Sequence, residues 1–274
     1  MPVRDKLDKR MKEYYENISK TKLMRRCPVA IRIDGKAFHT FTRGFKKPFD
    51  EILIKSMQQT MLYLCENIQG CVLGYTQSDE ITLILQDYKT LTTDAWFGYE
   101  VQKICSVSAS MATMAFNKFF RQNVCPDNSL SSVNSENCES ISAACLNAIK
   151  KGAMFDARCF NIPKEEVTNL LYWRQLDAIR NSVQGVGQAY FSHKEIQNKS
   201  CSDIQDMLME KYNINWNDLP TTLKRGSCAV KITIQNQNVD IEDDIDLCEV
   251  WCIDDNIPIF KDEGRDYIEK RINF

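Results

Sequence analysis

The order in which apolar periodicity changes along residues 29–162 restricts the fold more than any other property of this chain. Residues 29–34 are a short apolar run. Over residues 50–68, Ile52, Leu53, Met57, Met61, Leu62, Leu64 and Cys65 recur at helical spacing. Residues 71–75 and 81–85 are two more apolar runs. They flank the polar Thr76-Gln77-Ser78-Asp79-Glu80, a hairpin pattern. Residues 95–120 predict a long helix, whose Ser106, Ser108, Ala109, Ser110 and Ala112 suit close packing on a sheet. Residues 154–162 predict another strand, closed by Pro163. The resulting β-α-β-β-α-β order is that of a ferredoxin-like split βαβ unit, so the fold class expected is α+β.

That topology brings two acids together. Asp34 ends the first strand, and Asp79 sits in the hairpin turn 45 positions later. One at a time, Asp34-Gly35 and Ser78-Asp79-Glu80 are ordinary turn sequences. In a split βαβ sheet the first strand lies beside the hairpin, and the two carboxylates share one rim. Two carboxylates there can hold two divalent cations, with Mg²⁺ keeping waters and phosphate oxygens in its shell. Gly35 lets its carbonyl come close as a further ligand. Arg43 and Lys47 are candidates for phosphate oxygens. The sequence contains no GxxxxGK[ST] and no nucleophile-elbow glycine pattern beside a histidine. A P-loop site is therefore absent, and a Ser-His-Asp hydrolase is poorly supported.

The flanks add helices and strands. Residues 1–26 alternate in charge and predict a surface helix, ending in the basic run Lys20, Lys22, Arg25, Arg26. The Ser/Asn-rich segment 121–142 predicts a surface loop, with a short helix at 139–151. Residues 164–192 form a helical block with Leu170, Leu171, Trp173, Leu176 and Ile179 as its apolar stripe, followed by Gly185-Val186-Gly187 and Ser192-His193-Lys194. A helix at 201–212, a turn-rich stretch at 213–218 and a strand at 228–234 come next. Residues 236–246 are acidic and expected to be exposed, and 250–260 predict an edge strand containing Pro258. The expected division is 1–163, a catalytic unit with its N-terminal helix, and 164–274, a helical and β region packed on it.

Composition limits the partners. Of 274 residues, 43% are hydrophobic and 26% charged, and the net charge is −2. A generally basic RNA-binding module is excluded, so nucleic acid would need a local patch or assembled subunits. The twelve cysteines contain no CxxC, and there are only two histidines, which argues against zinc or dithiol motifs. Cys65, Cys105 and Cys159 fall in apolar segments and read as small buried hydrophobes. Reduced thiols in the cytoplasm, with no membrane span, are the expectation. Frequent N-terminal acids disfavour a transit peptide.

Asp34-Gly35-Lys36-Ala37-Phe38-His39, then Lys47-Pro48-Phe49-Asp50, then Gly74-Tyr75-Thr76-Gln77-Ser78-Asp79-Glu80 resemble the motifs of the tRNA-histidine guanylyltransferase family, the reverse (3′-to-5′) nucleotide polymerases. Phe155-Asp156-Ala157-Arg158, Trp173-Arg174-Gln175-Leu176-Asp177 and Lys224-Arg225-Gly226-Ser227 continue the resemblance, which covers most of residues 1–235. It implies a polymerase-type palm with a two-metal site. Asp34 and Asp79 would bind Mg²⁺ with the Gly35 carbonyl, and Glu80 would support them or act in catalysis. Lys36, Ala37, Phe38 and His39 match the nucleotide pocket, as do Lys47, Asp50 and Ser78. Lys103 matches a basic residue near phosphate.

One stretch departs from the eukaryotic members. They carry His-Ile-Asn-Asn-Leu-Tyr-Asn where this chain has Ile179-Arg180-Asn181-Ser182-Val183-Gln184-Gly185. The Arg-Asn-Ser-Val form resembles the bacterial-type guanylyltransferase-like branch, which repairs truncated tRNA 5′ ends. On that resemblance Arg180, Asn181 and Ser182 would contact RNA. The implied activity is template-dependent 3′-to-5′ addition to tRNA, with ATP activating a 5′-monophosphate and ATP, GTP or other nucleoside triphosphates as substrates. A homotetramer is also implied. The alternatives are addition of a single 5′ G to histidine tRNA, a nucleotide cyclase on the same palm, and a non-catalytic RNA-binding protein.

Overall fold

The computed structural model describes residues 2–126, 142–235 and 247–272. Four strands of its sheet follow the predicted order: β1 (Val29–Gly35), β2 (Cys71–Gln77), β3 (Glu80–Leu85) and β4 (Phe155–Asn161). The sheet has six strands in the order β4-β1-β3-β2-β5-β6, with β5 (Ser227–Gln235) and β6 (Leu247–Asp254) from the C-terminal region. All neighbours are antiparallel. The chain on both sides of residue 163 thus builds one continuous sheet, because β5 pairs with β2.

Strand alternation assigns each side chain to a face. Val29, Ile31 and Ile33 join Ile81, Leu83 and Leu85 on the face covered by α3 (Glu51–Asn67) and α4 (Val101–Val124). Phe38 and Phe41, in the short α2 (Phe38–Phe41), pack edge-to-face against Phe116 of α4 in the same core. Ala30 and Ile84 lie on the opposite face, under Val167, Leu170 and Leu171 of α6 (Val167–Tyr190) and Ile268 and Ile272 of α10 (Asp266–Ile272). The even positions Arg32 and Asp34 share this second face.

The remaining helices are peripheral. They are α1 (Pro2–Met11), α5 (Ala143–Lys151), α7 (His193–Ile196), α8 (Cys201–Tyr212) and α9 (Thr221–Arg225). The N-terminal segment carries exposed i,i+4 ion pairs, such as Asp8–Lys12 at 3.0 Å.

Several expectations change. The long helix starts at Val101; Trp96–Tyr99 is a separate turn with Phe97 and Tyr99 at positive φ. It runs past Phe120 to Val124, whose side chain is buried. Gly185-Val186-Gly187 lies inside α6, not after it. Val183 and Val186 pack against Ile204, Leu208 and Phe191, and that burial outweighs a glycine cost of about 1 kcal/mol each. Trp173 and Leu176 are half-exposed, while Arg174 and Gln175 take buried positions on α6. The final strand ends at Asp254, before Pro258, although it does form a sheet edge. Ile257 and Phe260 leave the sheet to fill the core under α6. Cys65 is buried, but Cys105 and Cys159 are only partly so, their Sγ atoms 3.7 Å apart. Most of the predicted Ser/Asn loop and the acidic segment 236–246 lie outside the described residues.

Candidate active site

The rim where β1 and the β2–β3 turn meet is set by register. Asp34 pairs with Glu80 across β1 and β3, and the Gly35 N–H donates to the Asp79 carbonyl at 3.1 Å. Ser78 occupies the left-handed region at φ 51°, which closes the turn tightly. Its hydroxyl donates to Asp79 Oδ1 at 3.0 Å and so orients that carboxylate. Gly35 answers a second steric demand: a Cβ there would lie 2.2 Å from the Phe38 ring. Packing of Phe38 against Phe41, Phe116 and Phe155 holds that ring and the acid strand end together.

A cavity of about 530 Å³ opens at this rim. Asp34, Gly35, Ala37, Phe38, His39, Lys47, Asp50, Ser78 and Asp79 all line it. The structure therefore gathers nine of the residues singled out from sequence. His39 and Lys47 are exposed, whereas Phe38 is a core ring. Asp50 caps α3, accepting N–H bonds from Leu53 at 3.0 Å and Lys46 at 3.2 Å. Lys36 and Arg43 are exposed and do not line the cavity. Lys103 is not brought there: it sits in the first turn of α4 with Nζ over the Phe97 ring at 5.6 Å. The acid rim lies against Thr113, some ten residues further along that helix, whose hydroxyl accepts from the Phe155 N–H, about 15 Å away by helix rise.

The electrostatics of the rim are unbalanced. Burial holds the Asp79 carboxyl above the usual carboxylate range; the negative charges of Asp34 and Glu80 add to the rise, and its Ser78 hydrogen bond opposes it. The nearest guanidinium to Asp34 is that of Arg158, 3.9 Å away and shared with Asp156. Among the described residues no third Asp, Glu, His or Cys completes a protein-only metal cage. Two hard oxygen donors beside an open cavity fit Mg²⁺, which keeps most of its shell for water and phosphate.

Glu80 is built differently. It is 7% exposed, and Arg174 grips it with two hydrogen bonds of 2.7 Å. Arg32 adds a third at 3.0 Å. Arg174 also donates to Asp177 at 2.8 Å, and Asp177 accepts from Arg180 and Asn181. Arg180 and Asn181 are exposed, but Ser182 is buried and accepts the Trp216 indole N–H at 3.0 Å. The Arg32–Glu80–Arg174 cluster was missed from sequence. Its signal was parity: Arg32 shares a face with Asp34, and Arg174 falls a turn beyond Leu170 and Leu171.

The family model described as "Thg1: tRNAHis guanylyltransferase" matches residues 8–163. The chain belongs to this family. Its members are nucleotidyltransferases, and so is this protein. Solved structures of a bacterial tRNA(His) guanylyltransferase (Thg1)-like protein in complex with ATP and with GTP are 40% and 37% identical to it. Their TM-scores are 0.78 and 0.76, and each alignment covers 98% of this chain and 100% of the other. The tRNA(His) guanylyltransferase of Saccharomyces cerevisiae is 26% identical over 227 residues, covering 76% of this chain and 84% of the yeast protein. The polymerase-type fold read from the motifs is thus the fold these relatives share.

Proposed function

We infer that this enzyme adds nucleotides in the 3′-to-5′ direction to the 5′ end of tRNA, copying the opposite strand, after ATP activates a 5′-monophosphate. The observation that carries this reading is the carboxylate pair Asp34 and Asp79, which lines one open cavity together with Lys47 and His39 and whose ion-pair neighbour among the described residues is the Arg158 guanidinium, 3.9 Å from Asp34. In that arrangement Asp34 and Asp79, with the Gly35 carbonyl, would hold up to two Mg²⁺ ions, which when bound stabilise charge on a transferring phosphoryl group. Ser78 fixes the Asp79 carboxylate. Lys47 offers an exposed point charge to phosphate oxygens. Glu80, gripped by Arg32 and Arg174, anchors the end of β3 under the acids rather than facing the substrate. Through Arg174 and Asp177 the same cluster positions Arg180 and Asn181, which face solvent as candidate tRNA contacts. ATP and GTP as substrates follow from the ligands of the bacterial relatives. Cytoplasmic tRNA processing by a homotetramer completes the proposal.

The test incubates the protein with 5′-truncated tRNAs and each labelled nucleoside triphosphate, with and without Mg²⁺. Incorporation that follows the opposing base and needs Mg²⁺ is the expected result. Incorporation of G alone, into histidine tRNA alone, would replace this reading with the single-addition activity named for the yeast relative. Incorporation that survives Asp79→Ala would overturn the site.

A further inference from the structure

The acid cavity has a neighbour. Pro48, Asp50, Leu53 and Ser78 line both, and the second cavity, about 200 Å³, continues between α3, α6 and α9. Arg225, the last residue of α9, lines it. The Arg225 carbonyl accepts the Tyr75 hydroxyl at 2.7 Å. Gly226 follows at φ +82°, where a Cβ would stand 2.3 Å from the Thr76 carbonyl. Only glycine permits that approach, so the backbone beside Arg225 is pinned to the end of β2, next to the Ser78-Asp79 turn.

The side chain of Arg225 is unlike the other interior guanidiniums. Arg32 and Arg174 both donate their Nε–H to Glu80. The Nε of Arg225 is buried and has no hydrogen-bond partner. Among the described residues no carboxylate lies within ion-pair distance of it. Asp50, the one acid lining this cavity, accepts the N–H groups of Lys46 and Leu53 and makes no ion pair with Arg225. The adjacent Lys224 is turned to the Asn217 carbonyl. An interior donor left unpaired calls for an explanation, and a guanidinium fork matches the geometry of phosphate oxygens.

We propose that Arg225 binds a phosphate group of a substrate in this second cavity. The proposal rests on the nucleotidyl-transfer reading and names the residue that holds one of its phosphates beside Asp34 and Asp79. That phosphate is either the triphosphate of a nucleotide or the 5′-phosphate of the RNA.

The experiment measures equilibrium binding by the full chain and its Arg225→Gln and Arg225→Lys forms. The probes are tripolyphosphate, GTP, and one truncated tRNA prepared with a 5′-monophosphate or a 5′-hydroxyl. Arg225→Gln is expected to weaken a phosphate-bearing probe about tenfold or more, with partial recovery in Arg225→Lys and no change for 5′-hydroxyl tRNA. A loss confined to tripolyphosphate and GTP identifies the nucleotide triphosphate; a loss confined to 5′-phosphorylated tRNA identifies the RNA end. Unchanged affinities for every phosphate-bearing probe overturn the proposal, as does an equal loss for both tRNAs with tripolyphosphate unchanged. If Arg225→Gln does not fold, phenylglyoxal modification of wild-type Arg225, mapped by mass spectrometry, decides the matter. Protection by tripolyphosphate or 5′-phosphorylated tRNA is expected, and no protection by either overturns it. No readout needs turnover, so an enzyme that fails to add nucleotides would sink the activity assignment while leaving the phosphate site separately measurable.

Discussion

Asp79 and Glu80 are adjacent in the chain and live in opposite surroundings. Glu80 points into the interface of sheet and α6, where two arginines neutralise it. Asp79 points to the open rim, where a serine hydroxyl is its side-chain partner and Asp34 is a like charge. The protein supplies the counter-charge for one carboxylate and withholds it from the other. A carboxylate left without its counter-charge is available to a cation, which can in turn hold a phosphate. A carboxylate already paired is available only to the fold.

The widest gap between the two positions should appear in activity. Asp79→Ala and Asp34→Ala are expected to reduce labelled-nucleotide incorporation by about 10³-fold or more, with the thermal melt close to wild type. Comparable incorporation in either variant would erase the contrast. Stability should separate them in the other direction. Glu80→Ala takes two hydrogen bonds from the buried Arg174 and leaves it Asp177 as its counter-charge, and is expected to cost about 3 kcal/mol in a urea titration. A paired Glu80→Leu/Arg174→Met replacement should recover much of that loss. If Asp79→Ala lowers the urea midpoint as much as Glu80→Ala does, the two surroundings are not different in kind.

A finer test uses pH and metal. The folded-state carboxyl of Asp79 is raised above its ordinary value. Its contribution to stability is therefore present at low pH, below the ordinary carboxylate range, and is lost as pH rises through the raised folded value. At neutral pH without divalent cation the wild-type protein bears that loss, and Asp79→Asn should melt slightly higher. Mg²⁺ should raise the melting temperature of wild type and leave that of Asp79→Asn almost unmoved; identical Mg²⁺ responses would contradict the site. The smallest effect belongs to the outer end of the cluster. Arg180 is exposed, so Arg180→Ala should change stability by no more than about 0.5 kcal/mol. It should raise the KM for tRNA while leaving the KM for GTP unchanged.

Much of this was legible in the chain. The strand order follows from local periodicity, and the turn at Ser78-Asp79 follows from its turn formers. The pairing of Asp34 with the hairpin follows from topology. Other features needed packing. Trp173 and Leu176 looked like core residues from their apolarity, yet Arg174 and Gln175 hold the inward positions. Arg174 turns in because Glu80 faces it, and the Gln175 amide turns in because it clasps the backbone of Pro258 and Phe260. Lys103 carried the right charge on the right helix, but at the end of α4 remote from the acids. Ser182 belonged to an RNA-contacting tripeptide by resemblance, and the helical repeat carries it inward to Trp216.

The amino-acid sequence alone determined the order of elements and put one carboxylate at a strand end and another in a turn, since periodicity and turn chemistry act over a few residues. Tertiary structure alone decided which acids stay unpaired. Arg174 reaches Glu80 across 94 positions, and Arg225 comes to rest beside the Asp79 turn with its Nε unpartnered. Burial and counter-charge are properties of distant neighbours, and they exist only once the sheet and α6 have closed on each other.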